Sequence, residues 1–254
     1  AEALVTPAER RPRALPWGLA FAAVALAAVA GWMWWSGRGE EPLAVRSGIL
    51  PPPGVVYHIQ GTQPGPAVIS PDGRMVAFSG RGEENRILLY VRELNATGAR
   101  ALDGTEGVIY PFWSPDGRSL GFFSGGKLKR VDLGGGPPLT LVDSVNGKGG
   151  TWNAAGDILF APSHDSGIHR VAASGGEVTQ LTRPDGSAGE DSHRHPRFLP
   201  DGRRYFYVAR MSRPGAQGEA AQYDIRVASL DGGESHTVLQ LPRRPNCWAT
   251  FVRR

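Results

Sequence analysis

The sequence predicts an all-β protein made of four-stranded blades, and three observations carry this prediction. A turn phrase recurs, and the glycines inside its copies, Gly73, Gly117, Gly156 and Gly202, are spaced 44, 39 and 46 residues apart. This spacing is close to the period of roughly 40 to 45 residues expected for one propeller blade. Four strand-like segments follow one another in each repeat, and no window between the turns is free for a helix. We therefore expect a β-propeller of antiparallel blades, with four blades visible and the ring incomplete.

Each residue type in the turn phrase has a physical reason to be in a turn. It is Ser-Pro-Asp-Gly-Arg at 70–74 and 114–118, and Leu-Pro-Asp-Gly-Arg at 199–203. Proline presets φ, aspartate bonds to the local backbone, and glycine accepts a positive φ, so the phrase predicts a hairpin turn. Asn153-Ala154-Ala155-Gly156 forms a degenerate copy. Gly-Gly pairs recur later in the repeats and predict the hairpin between the third and fourth strands.

Each repeat then gives four predicted strands. They are 67–70, 75–79, 87–93 and 99–102; 108–114, 119–124, 127–132 and 139–142; 150–153, 157–161, 168–172 and 177–181; 193–198, 204–210, 223–229 and 235–239. Large apolar residues flank the turns, and we expect them to fill the layers between blades. They are Ile69, Trp113, Trp152 and Phe198 before the turns, and Phe78, Phe122 and Tyr207 after them.

An uncharged apolar segment precedes the repeats. Residues 15–35 contain no charge and would span about 31 Å as a helix, which is close to the thickness of the hydrocarbon core. Arg10, Arg11 and Arg13 crowd its front edge and only Arg38 closely follows it, so the positive-inside bias places the N-terminus in the cytoplasm. A cleaved signal peptide is the alternative, because Ala28-Val29-Ala30 resembles a cleavage site.

These features predict five segments. We expect a cytoplasmic juxtamembrane segment at 1–14, a single transmembrane helix at 15–35, a Gly/Pro-rich tether at 36–63, blades at 64–239 and an unassigned tail at 240–254. A strand is possible at 43–46 inside the tether. The resulting location is a bacterial cytoplasmic membrane, with the propeller on the extracytoplasmic side.

The composition argues against a disordered protein, a disulfide-stabilised protein and a nucleic-acid-binding protein. Glycine (35) and proline (21) make up about 22 percent of the chain against a usual 12 or so, while the apolar fraction of 41 percent is too high for disorder. The single cysteine, Cys247, excludes an internal disulfide. The net charge of +4 is spread along the chain without a basic block, so we expect no nucleic-acid partner.

Candidate chemistry is sparse. His193 and His195 alternate on a predicted strand near Glu190 and Asp191, which allows a metal site, but no third ligand has suitable spacing. Three aspartates could suggest a carboxylate cluster, yet they occupy equivalent turns of different blades, which favours a structural role. These are Asp72, Asp116 and Asp201.

Motifs for catalysis and phosphate binding are incomplete. Phe123-Ser124-Gly125 lacks the first glycine of a serine elbow. Gly126-Lys127-Leu128 and Gly147-Lys148-Gly149 lack the hydroxyl residue of a phosphate loop. We therefore predict no catalytic, cofactor-binding or metal-binding residues and no cofactor.

These turns, with an aromatic residue before them and an apolar run after them, resemble the TolB-like β-propeller repeats related to WD repeats, over roughly 68–239. More narrowly, three strings resemble the extracytoplasmic sensor half of bacterial receptor-type serine/threonine protein kinases. The strings are Gly104 to Gly117, Gly149 to Asn153 and His193 to Arg203.

The resemblance implies a sensor or protein-interaction module that binds an unknown extracytoplasmic protein or small molecule. In that family a cytoplasmic kinase domain precedes the membrane helix, so a kinase is expected upstream of Ala1. Kinase motifs are absent from this segment, and His193-Arg194-His195 lacks the aspartate of the catalytic loop. The alternative is a stand-alone anchored or periplasmic TolB-like scaffold. A peptidase propeller would instead require a serine elbow in a further domain.

Overall fold

The computed structural model of the protein describes residues 15–36, 48–59, 66–143, 146–212 and 222–241. The chain divides into two compact units, Ala1–Ile49 and Leu50–Arg254. The first unit holds α1 (Leu15–Ser36), an uncharged and alanine-rich helix. The helix predicted over 15–35 is thus present. Its assignment as a transmembrane helix is not supported, because no helix in the described ranges combines the length and hydropathy needed to cross a membrane.

The second unit is all-β. Its described residues form four antiparallel sheets, each built from consecutive strands, which we call blades 1 to 4. Blade 1 contains β1 (Val56–Tyr57), β2 (Val68–Ile69), β3 (Met75–Arg81), β4 (Ile87–Glu93) and β5 (Arg100–Leu102); blade 2 contains β6 (Ile109–Trp113), β7 (Ser119–Ser124), β8 (Lys127–Asp132) and β9 (Leu139–Asp143); blade 3 contains β10 (Gly150–Trp152), β11 (Asp157–Phe160), β12 (His169–Ala172) and β13 (Thr179–Gln180); blade 4 contains β14 (Glu190–Phe198), β15 (Arg204–Met211), β16 (Gln222–Ser229) and β17 (His236–Leu241).

The sixteen predicted strands are confirmed to within a few residues at their ends. The first strands of successive blades, β2, β6, β10 and β14, contact one another and form the inner layer of the array. We call them the inner strands. β17 extends to Leu241, two residues into the predicted tail, and the remainder of that tail lies outside the described residues. That the ring is incomplete stays a prediction.

Blade 1 contains a strand that the sequence did not predict. Val56 and Tyr57, inside the predicted tether, form β1, which pairs with β3 at Gly80 and Arg81. The inner position of blade 1 is therefore shared by β1 and β2. A Cβ at Gly80 would lie 2.6 Å from the Val55 side chain, so this close approach requires glycine. The possible strand at 43–46 lies outside the described residues.

Apolar clusters fill the layers between blades. Trp113 and Phe122 are buried between blades 1 and 2, and Phe198 and Tyr207 pack between blades 3 and 4, as predicted. Trp152 packs against the layer between blades 2 and 3. Burial of each such side chain contributes about 1.5–3 kcal/mol. The layers are thus the main source of stability for the array.

Two of the predicted layer residues lie elsewhere. Ile69 is 61% exposed, because it is in the short β2 rather than in a full-length inner strand. Phe78 is fully buried but lies on the face of blade 1 away from blade 2, stacked on Tyr90 at 5.6 Å and met edge-on by Tyr57 at 4.9 Å. The Tyr57 side chain, from β1, therefore covers that face of blade 1.

Candidate functional site

The aspartates of the turn phrase bond within their own turns. Asp116 Oδ1 accepts hydrogen bonds from Ser114 Oγ at 2.6 Å and from the Arg118 N–H at 3.0 Å. Asp72 makes the equivalent bonds. These hydrogen bonds lower the pKa of both carboxyl groups. Their geometry accounts for the aspartates as turn residues and gives no carboxylate cluster.

Asp201 also accepts hydrogen bonds within its own turn, but from different donors, because Leu199 stands where the other two turns have serine. Its Oδ1 accepts from the N–H groups of Arg203 and Arg204 at 2.9 Å, and its Oδ2 accepts from Arg204 Nε at 2.6 Å. These bonds lower the pKa of Asp201 to about 2.

The degenerate turn is one residue shorter, and Asn153 closes it. Asn153 Oδ1 accepts the Asp157 N–H at 2.8 Å, and Asn153 Nδ2 donates to the Gly202 carbonyl at 2.8 Å in the next blade. In the serine-containing turns, the serine hydroxyl accepts the N–H five residues on instead. The asparagine therefore replaces both the serine and the aspartate and also links blade 3 to blade 4.

The structure separates the two histidines that the sequence places on one face. The pairing of β14 with β15 shifts register between Arg194 and Arg197, and His195 has φ +50° in that bulge. A bulge inserts an unpaired residue and re-aims the side chains near it. His193 therefore points into the layer between blades 3 and 4, and His195 points to the inner strands. The described residues contain no group of three or more His, Cys, Asp or Glu side chains able to hold a metal ion.

His193 lies in a buried chain of polar groups that we call the junction site, made of Thr182, Glu190, His193 and Arg226. His193 Nδ1 is 2.7 Å from Thr182 Oγ1, and His193 Nε2 is 3.0 Å from Glu190 Oε2. Thr182 Oγ1 already accepts the Ile168 N–H at 2.8 Å. Its hydroxyl hydrogen is then free to donate to Nδ1, so Nε2 carries the histidine proton and donates to Glu190.

Charge in the junction site is balanced. Burial and the nearby Arg226 lower the pKa of His193, so the ring is neutral at pH 7. Burial acts to raise the pKa of Glu190, but the Asp185 N–H, His193 and Arg226 together lower it. Arg226 Nη2 forms an ion pair with Glu190 Oε1. The site therefore holds one carboxylate and one guanidinium that compensate each other, beside a half-open cleft of about 410 Å³.

His195 belongs to a second group on the inner strands, which we call the inner cluster: Tyr110, Lys148, Arg194 and His195. The Tyr110 and His195 rings lie 5.4 Å apart, and Lys148 Nζ is 5.9 Å from the centre of the Tyr110 ring. The His195 N–H donates to the Lys148 carbonyl at 2.8 Å, which ties blade 4 to blade 3. The cluster therefore brings three blades together.

Positive charge dominates the inner cluster. Lys148 is 7% exposed, and burial together with Arg194 lowers its pKa. Burial, Arg194 and Lys148 lower the pKa of His195 to about 4, so this ring is also neutral at pH 7. Burial raises the pKa of Tyr110. Two cations, a neutral imidazole and a phenol are thus gathered where an anionic or aromatic group could be recognised.

The other candidate motifs have structural partners. Ser124 Oγ donates to the Glu106 carbonyl, and Lys127 forms an ion pair with Asp143. Sequence reasoning missed Tyr110, Arg194 and Arg226, and it considered Lys148 only as part of a phosphate loop. One signal could have found half of the inner cluster, because Tyr110-Pro111 and His195-Pro196 stand at the same place in repeats 2 and 4.

Comparison with known proteins supports the fold. No family model matches the chain. A protein assigned as TolB from Agrobacterium tumefaciens superimposes with a TM-score of 0.57 at 21% identity, covering 72% of this chain and 68% of that one. TolB from Acinetobacter baumannii gives a TM-score of 0.51 at 18% identity over 69% of this chain and 44% of that one. The structural neighbours are thus TolB-like β-propellers.

One curated relative is similar in sequence. YuxL, an uncharacterized peptidase of Bacillus subtilis strain 168, is 31% identical over 152 residues, 56% of this chain. The chain spans only 21% of the length of that relative.

Proposed function

We propose that the blades form a binding module that recognises a protein or small-molecule ligand at the inner cluster without transforming it. The observation that carries this proposal is the convergence of Lys148, Arg194, Tyr110 and His195 on the inner strands of three blades. Loops and strand ends around the axis of a propeller are where such folds bind their ligands.

The positions of the candidate catalytic groups support a non-catalytic role. The turn carboxylates are used by their turns, and His193 is 2% exposed with both ring nitrogens bonded. A general base must reach the proton that it abstracts. Because both ring nitrogens of His193 are already bonded and His195 has a depressed pKa beside two cations, neither histidine is well placed for that task at neutral pH.

The experiment is a binding assay that also measures cleavage. The chain is incubated with a defined set of synthetic peptides, and peptides that remain bound are identified by mass. We expect bound peptides to be recovered intact, and amide hydrogen exchange to slow in β6, β10 and β14 but not in the outer strands β9 and β13. Cleaved peptides, or protection confined to the outer strands, would contradict the proposal.

We also propose a setting for the module, as the extracytoplasmic sensor part of a receptor-type serine/threonine kinase. The three strings that resemble that family and the arginine bias at Arg10, Arg11 and Arg13 support it. A stand-alone TolB-like scaffold is the alternative. The coding sequence upstream of Ala1 decides between them, since a receptor kinase requires the strand lysine and the His-Arg-Asp and Asp-Phe-Gly motifs. Alkaline phosphatase fused after residue 241 tests the location, and an inactive fusion would contradict it.

The similarity to a peptidase favours a second candidate, in which the blades serve a peptidase domain elsewhere in the protein. This candidate requires a serine elbow, Gly-x-Ser-x-Gly, in the coding sequence beyond Arg254. The same peptide assay on the complete protein, with and without a serine-directed inhibitor, distinguishes it from the binding module.

A further inference from the structure

We propose that the cleft between blades 3 and 4 is a second binding site, which takes the carbonyl oxygen of an uncharged amide on Arg226. The four residues of the inner cluster are not among the described residues that line this cleft, so the site goes beyond the proposed function. Its volume of about 410 Å³ is within the range of roughly 300–1,000 Å³ in which proteins bind small ligands.

Blade 3 is short at its outer edge, next to the cleft. β13 has two residues, against five in β9 and six in β17, and residues 181–183 after it line the cleft. The connection to β14 is held by its own hydrogen bonds. The Asp185 N–H donates to Glu190 Oε2 at 3.0 Å, and the Glu190 N–H donates to the Asp185 carbonyl at 2.9 Å. This part of the lining is therefore fixed before a ligand binds, which lowers the entropy cost of binding.

Arg226 has a hydrogen-bond donor that the fold leaves unused. Its Nε is buried and, within the part of the chain that the structure describes, donates to no group. A carboxylate often takes two neighbouring N–H groups of a guanidinium at once. Glu190 does not do so, because its Oε1 pairs with Arg226 Nη2 while its Oε2 accepts from His193 Nε2 and the Asp185 N–H. Part of the guanidinium fork is therefore open.

The cleft gives a ligand access to the junction site through Arg226. The Arg226 side chain is 20% exposed, against 3% for Glu190 and 2% for His193. An unpaired buried donor is costly, and native proteins pair nearly all such groups. A carbonyl oxygen bound beside Glu190 completes the fork and forms a charge-assisted hydrogen bond with Arg226.

The charges around the cleft favour a ligand without charge. The cleft is lined by two cationic side chains, Arg183 and Arg226, and by two carboxylates, Asp185 and Glu190. An anion or a cation therefore gains no net attraction there, and burying it would cost its hydration. A neutral acceptor satisfies the open donor and leaves the balance of charge unchanged.

The aromatic residues of the cleft favour an amide over a sugar or a nucleobase. Tyr205 and Tyr207 line the cleft, but each is only 1% exposed, so neither offers an open ring face for stacking. Burial raises the pKa of Tyr205, so its phenol keeps its proton at pH 7. A peptide backbone and an asparagine or glutamine side chain present the same amide carbonyl, and the two sources are separated by experiment.

The test is NMR titration of the full chain at pH 7, following the backbone amides and the Arg226 Nε–H signal. The probes are N-acetylglycine methylamide for a backbone amide, propionamide for a side-chain amide, sodium acetate for an anion and methyl glucoside for a sugar. We expect saturable shifts at 182–188 and 226–235 with an amide, and a downfield shift of the Nε proton as it gains an acceptor. The amide that binds more tightly identifies the source.

Three variants separate binding from structure. Arg226→Lys keeps a positive charge beside Glu190 but removes the Nε donor, so it should weaken amide binding about tenfold. Its missing signal also assigns the Nε proton. Arg170→Lys is the matched control, because it makes the same change in the ion pair with Asp157 outside the cleft and should leave the affinity unchanged. Ala188→Trp fills the cleft from an exposed position and should abolish binding, so it decides if Arg226→Lys fails to fold.

Several results would overturn the proposal. One is the absence of saturable shifts with both amides, and another is tighter binding of acetate or the glucoside than of either amide. An Nε proton that responds to no probe would mean that a trapped water serves the donor, and would also overturn it. Shifts confined to β6 and β10 would sustain the binding module at the inner cluster and overturn the cleft site, whereas shifts at the cleft alone would do the reverse. The two proposals therefore fail separately.

Discussion

Two histidines on one strand, His193 and His195, lie in regions with opposite character. The junction site around His193 is buried and charge-balanced, and the two ring nitrogens are bonded to Thr182 and to Glu190. The inner cluster around His195 has strained backbone and places Arg194 and Lys148 near the ring. The comparison teaches that the bulge, rather than residue type, decides the role of each ring, because one inserted residue sends the two side chains to different layers.

The largest expected effect is from Glu190→Gln in the junction site. This change removes the carboxylate that compensates Arg226, so a largely buried guanidinium loses its ion-pair partner. We expect the free energy of unfolding, measured in urea, to fall by about 3–5 kcal/mol. Glu177→Gln is the control, because Glu177 is exposed and its loss should change the stability little. A fall of less than about 1 kcal/mol for Glu190→Gln would show that the junction site does not stabilise the blades.

The second effect is a dependence of stability on pH that arises at His195. Its pKa falls from an ordinary 6.5 to about 4 on folding, so the unfolded chain binds more protons between these values. Stability contributed by the neutral ring is therefore full above pH 6.5 and is lost as the pH falls toward 4, by about 3 kcal/mol in total. The measurement is urea unfolding from pH 7.5 to 4 for the wild type and His195→Asn. Because carboxyl groups titrate in both proteins, the difference between the two curves isolates His195, and parallel curves would disprove the assignment.

The third test makes the same substitution at both histidines. His193→Asn loses hydrogen bonds to Thr182 and Glu190 and the contact with the Tyr207 ring at 4.6 Å. We expect it to lower the free energy of unfolding by about 2 kcal/mol. His195→Asn should cost less than about 1 kcal/mol at pH 7, because asparagine tolerates the left-handed conformation. A larger loss of unfolding free energy for His195→Asn than for His193→Asn, measured by chemical unfolding, would contradict the contrast between the two sites.

The smallest effect expected outside the two sites is from Asp116→Ala, in a turn remote from both. Loss of the bonds from Ser114 and from the Arg118 N–H should lower the free energy of unfolding by about 1 kcal/mol, with binding unchanged. A loss of ligand binding in this variant would mean that the turn aspartates have a role beyond the turn. Calorimetric titration of the folded variant measures this.

The sequence was sufficient for the blades because turn and strand signals are local. Proline, aspartate and glycine fix three of the hairpins, asparagine and glycine fix the degenerate one, and apolar residues mark the strand that follows, so the sixteen predicted blade strands were found. β1 was missed because Val56 and Tyr57 form a strand only by pairing with Gly80 and Arg81, some 24 residues on. Such pairing depends on tertiary contact and leaves little trace in two residues.

The candidate sites were harder to predict than the fold. Alternation along a regular strand places His193 and His195 on one face, and only the proline that follows His195, matched by Tyr110-Pro111 in repeat 2, hints at the bulge that separates them. Arg226 and Thr182 join the junction site from other strands and loops, and Lys148 and Tyr110 reach the inner cluster from other blades. These contacts depend on how neighbouring blades pack against each other. The spacing of residues within one repeat carries no information about that packing.

Ring titration by NMR, following His193 and His195, tests the central contrast most directly. We predict that the His195 ring titrates with a pKa of about 4 and that His193 is the neutral Nε2–H tautomer at pH 7. Titration of His195 near its ordinary pKa of 6.5, or an Nδ1–H tautomer at His193, would contradict the contrast between the two rings.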